Sequence, residues 1–305
     1  MKILVLGASG QVGSELATQL ENVLSVAGQN YSLVLASRVE VDVTDVSALK
    51  GFLRLNNPDF VINATAYTAV DNAETEVNQA YRVNEHAARV MAEHCSATGS
   101  NLMHISTDYV FDGSGELPVS EYNEVAPLGV YGASKLAGEE AIRTALTQHL
   151  ILRTAWVFGV SGGNFVKTML HLAQTRNELG IVGDQYGAPT SARGIAKAIA
   201  TMVFQMSEAG RADERWGTYH YTGNPFVSWA EFAREIFRQA NEKSIISAIP
   251  SVNAISTEQY PTPAKRPHNS RLDCSKIAKV FGIEPDNWHA SLGEMLDEVK
   301  RESVT

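Results

Sequence analysis

Short apolar runs, each closing on small or polar residues, set the rhythm of the first half of the chain. Ile3-Leu4-Val5-Leu6, Leu33-Val34-Leu35-Ala36, Phe60-Val61-Ile62, Asn101 to Ser106 and Leu150 to Ala155 read as strands. Runs this short and this apolar suit parallel strands covered on both faces. Between them apolar residues recur at helical spacing: Leu16, Ala17 and Leu20, then Val46 to Leu55, which closes before Asn57-Pro58. A longer helical segment from about Thr75 to Thr98 follows the same spacing through Val77, Ala80, Tyr81, Ala87, Ala88 and Met91. Strands alternating with helices in this way predict an α/β, Rossmann-like, doubly wound parallel sheet.

The second half is less regular. Phe165 to Arg176, Ala192 to Gln205, Ser228 to Asn241, Cys274 to Phe281 and Ala290 to Arg301 read as helices, and Leu179 to Val182 and Gly217 to Tyr221 as strands. Ser228 followed by Glu231 has the spacing of a capping box. Ser256 to Asn269 holds Pro261, Pro263 and Pro267 and cannot be a helix. The expected division is residues 1–155, mainly the sheet domain, and 156–305, mainly a smaller domain, interleaved because later segments rejoin the sheet.

A chain of 305 residues with 44% hydrophobic and 19% charged residues can bury a sizeable core, which removes disordered and fibrous classes. The net charge of −9 gives no general attraction for nucleic acid or an anionic membrane, so neither is expected as a partner. Against that background Lys265, Arg266, His268 and Arg271 form a local basic cluster suited to a diphosphate. Cys95 and Cys274 fit no metal or redox spacing. The start of the chain lacks signal-peptide architecture, and no stretch reaches the ~18 apolar residues of a membrane helix, so a cytoplasmic protein is expected.

Gly7-Ala8-Ser9-Gly10-Gln11-Val12-Gly13 follows the first strand directly and opens a helix. Backbone N–H groups and the helix dipole then face a pyrophosphate that glycine lets come close. At the end of the second strand a carboxylate would favour NAD and an arginine a 2′-phosphate. Ser37-Arg38 comes first and Asp42 a few residues later, which favours NADPH and leaves NADH open. The small residues of Asn63-Ala64-Thr65-Ala66-Tyr67-Thr68 would let a cofactor lie against the backbone. Tyr131 and Lys135, four apart, fall on one face of a helix. A lysine charge there would stabilise the phenolate and ease proton donation to an alkoxide. Thr107, at the end of the fourth strand, could donate to the same oxygen, and Asp184 to Thr190 reads as a substrate-facing loop.

These motifs resemble those of the extended short-chain dehydrogenase/reductases and, more narrowly, the dTDP-4-dehydrorhamnose reductase family. The resemblance covers nearly the whole chain: Gly7 to Gly13, Asn63 to Asp71, Ser106 to Gly113, Tyr131 to Lys135, Arg153 to Phe158, Asn164-Phe165, Asp184 to Thr190 and Tyr260 to Leu272. It implies NAD(P)H-dependent reduction of the C4 keto group of a dTDP-sugar, with Tyr131, Lys135 and Thr107 catalytic. It also implies cofactor contacts at Gly10, Gln11, Val12, Asp42, Val43, Ala66, Tyr67 and Thr68, beside Gly7, Gly13, Ser37, Arg38 and Ala64, and sugar-nucleotide contacts at Thr107, Asp108, Trp156, Asn164, Gln185 and Arg266. Some relatives dimerise through a magnesium site that uses a glutamate shortly after the Gly187-Ala188-Pro189-Thr190 motif; here Arg193 stands in that region, so no metal is expected and a homodimer is left open. A related keto sugar giving a 6-deoxytalose-type product, or a non-catalytic subunit like the regulatory subunit of methionine adenosyltransferase, are the alternatives.

Overall fold

In the first strand, β1 (Lys2–Leu6), Ile3 and Val5 enter one apolar layer while Leu4 and Leu6 enter another, and all four are fully buried. Alternate side chains leave opposite faces of a strand, so a run without polar alternation is stable only where helices cover both sides. Burial of each such side chain contributes roughly 1.5–3 kcal/mol. The computed structural model describes residues 1–26 and 30–302.

The chain continues through α1 (Gln11–Val26), β2 (Ser32–Ala36), α2 (Val46–Asn56), β3 (Phe60–Asn63), α3 (Val70–Ala73), α4 (Val77–Tyr81), α5 (Ala87–Thr98), β4 (Asn101–Thr107), α6 (Val130–Ala145) and β5 (His149–Thr154). The second half adds β6 (Val157–Phe158), α7 (Phe165–Ala173), β7 (Glu178–Val182), β8 (Tyr186–Gly187), β9 (Thr190–Ser191), α8 (Ala192–Met206) and β10 (Gly217–His220). It ends with β11 (Val227–Ser228), α9 (Trp229–Glu242), β12 (Ser251–Ile255), α10 (Ser275–Phe281) and α11 (Trp288–Glu302).

Six parallel strands make the main sheet in the order β2-β1-β3-β4-β5-β10. The chain steps one way from β1 to β2 and the other way from β3 onward, so the carboxyl ends of β1 and β3 flank a switch point, where open α/β sheets bind ligands. Helices α1, α8 and α10 contribute to one core layer, and α2, α5 and α6 to the other. Strand β10 and helix α8 come from the second half of the chain but build on this sheet. A third core joins α7, α9 and α11 around Phe232, Phe237 and Trp288. Among the described residues no helix is long and apolar enough to cross a membrane.

The Ser228 capping box is present: its hydroxyl accepts from the Glu231 N–H at 3.2 Å, and its own N–H donates to the Glu231 carboxylate at 2.7 Å. The proline-rich stretch carries only a 3-10 turn, Thr257–Gln259. The helix expected from Thr75 to Thr98 differs, because a π-helical turn over Arg82–His86 separates α4 from α5. The wider turn is occupied by Asn84, whose Oδ1 accepts from the Tyr67 N–H at 2.9 Å and whose Nδ2 donates to Ser134 Oγ at 2.9 Å. Those bonds tie the loop after β3 to α6. The helix from Phe165 ends at Ala173 rather than Arg176. Strand β12 has no apolar run because it is largely exposed, pairing only with β7.

Candidate active site

Gly7 has a left-handed backbone (φ +85°), and a Cβ there would stand 2.7 Å from the Ala64 carbonyl. A Cβ on Gly13 would stand 2.0 Å from Gly7 O. The turn therefore closes on glycine alone and draws the ends of β1 and β3 together. The first N–H groups of α1 lack intrahelical partners and, with the helix dipole, make an anion site.

A groove of about 500 Å³ leads away from this turn, lined by Gly7, Gly10, Ser37, Arg38, Asp42, Val43, Ala64, Ala66 and Tyr67 among others. Arg38 Nη2 donates to Asp42 Oδ2 at 3.1 Å. Asp42 is held below the usual carboxylate range by the Thr44 hydroxyl and N–H, with Arg38 adding less. Ser37 Oγ donates to Glu40 at 2.6 Å, and the Tyr67 hydroxyl donates to Glu76 at 2.9 Å.

A second cavity of about 450 Å³ lies on the other side of the turn. It gathers Gly10, Gln11 and Val12, then Ala64, Ala66 and Thr68, with Thr107, Asp108, Tyr131, Lys135 and Trp156. The sequence separates these residues by more than a hundred positions. They meet because the β4, β5 and α6 termini share the sheet rim with the glycine turn.

Burial, the largest influence, pushes the Tyr131 phenol up to about 12; the Asp108 charge adds to this and a hydrogen bond with Thr107 opposes it. The Tyr131 ring meets Tyr109 edge-on at 5.4 Å. Lys135, one turn beyond Tyr131 on α6, turns its ammonium to β4. Lys135 Nζ donates to Ile105 O at 2.6 Å and stands 3.3 Å from His104 Nε2. Spacing sets the helix face, whereas the nearest acceptor directs a long side chain. Burial takes the Lys135 ammonium down to about 8, against the opposing charge of Glu139.

Asp108 is buried and rises to about 6, chiefly through burial, with the neighbouring Ser270 and Thr107 hydroxyls acting the other way. Its Oδ1 accepts from Thr107 Oγ1 at 3.0 Å, but Oδ2 has no protein partner. The Thr154 hydroxyl, also on the cavity wall, has none either. Trp156 adopts φ +50°, which costs energy for a bulky residue, and is held by a stack on Trp229 at 3.5 Å.

The RmlD substrate binding domain family model matches residues 1–301. The dTDP-4-dehydrorhamnose reductase of Aggregatibacter actinomycetemcomitans is 42% identical over 95% of this chain and 97% of that protein. The chain belongs to the dTDP-4-dehydrorhamnose reductase family. Two solved structures with that name, from Clostridium acetobutylicum and Bacillus anthracis, superpose with TM-scores of 0.88 and 0.84 at 36% and 32% identity. They align over 98% and 97% of this chain and 100% and 99% of their own. The second is a complex with NADP.

Not every residue that the reductase motifs single out lies on the two cavities. Asn164 caps α7, accepting from the Lys167 N–H at 3.1 Å, and donates to Gln11 Oε1 at 3.1 Å. Gln185 is buried and donates to Thr257 Oγ1 at 3.2 Å. Arg266 is clamped on Asp71 by bonds of 3.0 and 2.8 Å. Arg193, in the region where the resemblance implies a metal-binding glutamate in some reductases, pairs instead with Glu15 at 3.1 Å and Glu298 at 2.7 Å. Among the described residues no group of three or more His, Cys, Asp or Glu is placed to hold a metal ion.

Sequence reasoning missed Asn84, His104, Glu139 and Arg153, all buried around α6. One signal existed: Asn84 falls on the same helical stripe as Val77, Ala80, Ala87, Ala88 and Met91, and His104 interrupts an apolar strand. A polar residue on a core face needs a partner.

Proposed function

We propose that this chain uses NADPH to reduce the C4 keto group of dTDP-4-dehydro-β-L-rhamnose, giving dTDP-β-L-rhamnose, with NADH as an alternative reductant. The observation that carries this reading is the cavity in which Thr107, Tyr131 and Lys135 face the glycine turn. The turn fits a dinucleotide: any side chain at Gly7 would collide with the Ala64 backbone, and the adjoining groove has a volume of about 500 Å³ for an adenosine. A bound reduced nicotinamide supplies the hydride. Gly10, Gln11 and Val12 would hold the pyrophosphate, Ser37 and Arg38 the 2′-phosphate, Asp42 and Val43 the adenine, and Ala64, Ala66, Tyr67 and Thr68 the adjoining wall.

Lys135 would hold the nicotinamide ribose. Tyr131 would give its proton to the carbonyl oxygen as charge develops there, and Thr107, turning its hydroxyl proton away from Asp108 Oδ1, would donate to that oxygen. Asp108 Oδ2 and the Thr154 hydroxyl, both unpartnered within the protein, suit hydroxyls of the sugar. Trp156 offers the sugar an apolar face. Asp71 orients Arg266 for the diphosphate, and the charge of Arg266 acts on Tyr109 at the cavity wall. Asn164 and Gln185 would act by holding Gln11 and the loop at Thr257. We infer that residues 1–155 mainly serve the cofactor and 156–305 mainly the sugar nucleotide, with α8 and β10 returning to the sheet.

Mixing the protein with NADPH and dTDP-4-dehydro-L-rhamnose should consume the near-ultraviolet absorbance of the reduced cofactor, with NMR of the product showing the rhamnose epimer. Tight cofactor binding without oxidation, or a talose-type product, would refute this assignment.

A further inference from the structure

Three residues behind the catalytic helix form a buried chain: Asn63 at the end of β3, His104 in β4 and Lys135 in α6, the first two with no exposed surface. Asn63 has one orientation. The Thr65 backbone N–H, 3.0 Å away, can only donate, so the Asn63 atom facing it is Oδ1, which also accepts from Thr65 Oγ1 at 2.6 Å. The other end of the amide, Nδ2, then points at His104 Nδ1 at 3.0 Å. An amide NH₂ only donates, so Nδ1 must be bare. Burial, then the charges of Lys135 and Arg143, hold the imidazole far below its ordinary range, so it is neutral. A neutral ring with a bare Nδ1 carries its hydrogen on Nε2, and that N–H is aimed at Lys135 Nζ, 3.3 Å away.

We propose that His104, fixed in this tautomer by Asn63, is a positioning residue for Lys135: its Nε2–H opposes the ammonium, favours the neutral amine, and turns the charged form toward Ile105 O. The proposal rests on the reductase reading for its kinetic consequence but not for its structural content. An N–H facing an amine nitrogen is a hydrogen bond when the amine is neutral and a repulsive contact when it is charged. The remaining groups around Lys135 do not remove this bias. Glu139, one turn on, favours the charge but is itself neutralised by Arg153, Arg143 and Ser106. From β4 and the turn after it come Asp108, bonded to Thr107, and Tyr109; from α6 itself comes Tyr131; from β5 comes His149, bonded to Leu146 O. Glu85, in the π-turn packed on α6, is engaged by Arg89 and His86. Lys135 thus sits where its proton is exchangeable near neutral pH, one helical turn from the phenol that must be reprotonated after each turnover.

Nitrogen NMR of histidine-labelled protein reads the tautomer directly and needs no activity. A bare Nδ1 and a protonated Nε2 at His104 are expected; the opposite tautomer, or a doubly protonated ring, would overturn the proposal. His104→Gln can rotate its amide oxygen toward Lys135, which favours the ammonium. We expect the Lys135 ¹³Cε titration and the alkaline limb of kcat against pH to move upward together by one pH unit or more, while the circular dichroism spectrum is kept. A loss of rate equal at every pH, with neither midpoint moved, would mean that His104 only packs. Should wild-type protein fail to oxidise NADPH, the reductase reading falls while the tautomer and Lys135 titration still decide this one.

Discussion

Glu139 and Arg153 are joined by two hydrogen bonds of 2.9 and 2.6 Å, and neither has appreciable contact with solvent. Glu139 stands one turn beyond Lys135 on α6, Arg153 lies on β5, and Ser106, next to Thr107, donates to the same carboxylate at 2.5 Å. The pair thus locks α6 to the two strands that deliver Thr107 and Thr154. Removing one partner strands a buried charge. Glu139→Gln should lower the unfolding free energy in urea by about 3–5 kcal/mol. A loss under about 1 kcal/mol would show that the pair is not the anchor.

Tyr131→Phe should lower kcat by about 10²–10⁴-fold, the usual range for a lost general acid. A general acid's proton is needed only as the alkoxide forms, so NADPH affinity, measured by fluorescence titration, should stay within about twofold. Near-normal turnover in this variant would remove Tyr131 from the mechanism.

Arg38 is mostly exposed and pairs with Asp42 at 3.1 Å. A guanidinium at the end of β2 can meet a 2′-phosphate, which NADH lacks. Arg38→Ala is expected to raise KM for NADPH about tenfold, an energy of about 1.4 kcal/mol, with little change for NADH. Equal effects on both cofactors would place the arginine outside the phosphate site.

Asp108 carries a testable pH dependence. Its folded-state value, about 6, lies above the ordinary 3.8, so the folded protein binds its proton more tightly than the unfolded chain does. The stability it contributes is therefore full below about 3.8 and is lost as pH rises through about 6. Asp108→Asn escapes this penalty. Thermal unfolding should find the variant more stable than wild type at pH 7.5, by about 3 kcal/mol, and the difference should vanish near pH 3.5. A gap independent of pH would mean that the carboxyl is not the cause.

Much of the fold can be read from the chain alone, because burial on both faces of a parallel sheet leaves a local mark. Short apolar runs locate β1 to β5, and the glycines after β1 announce a turn that no side chain could enter. Tyr131 and Lys135 are legible as a pair because helical spacing is fixed by backbone geometry. The short strands β6, β8, β9 and β11 leave no such mark, being two residues each. Polar contacts leave at most a polar residue on an apolar stripe, which says that a partner is needed but not which one. That Asp71 holds Arg266, that Asn84 opens a π-turn to reach Tyr67 and Ser134, and that Lys135 turns to Ile105 O and His104 depend on which groups the folded chain places within hydrogen-bond range. Apolar burial is encoded by period along the chain, whereas a hydrogen bond needs its partner's position in space, and only the assembled tertiary structure supplies that.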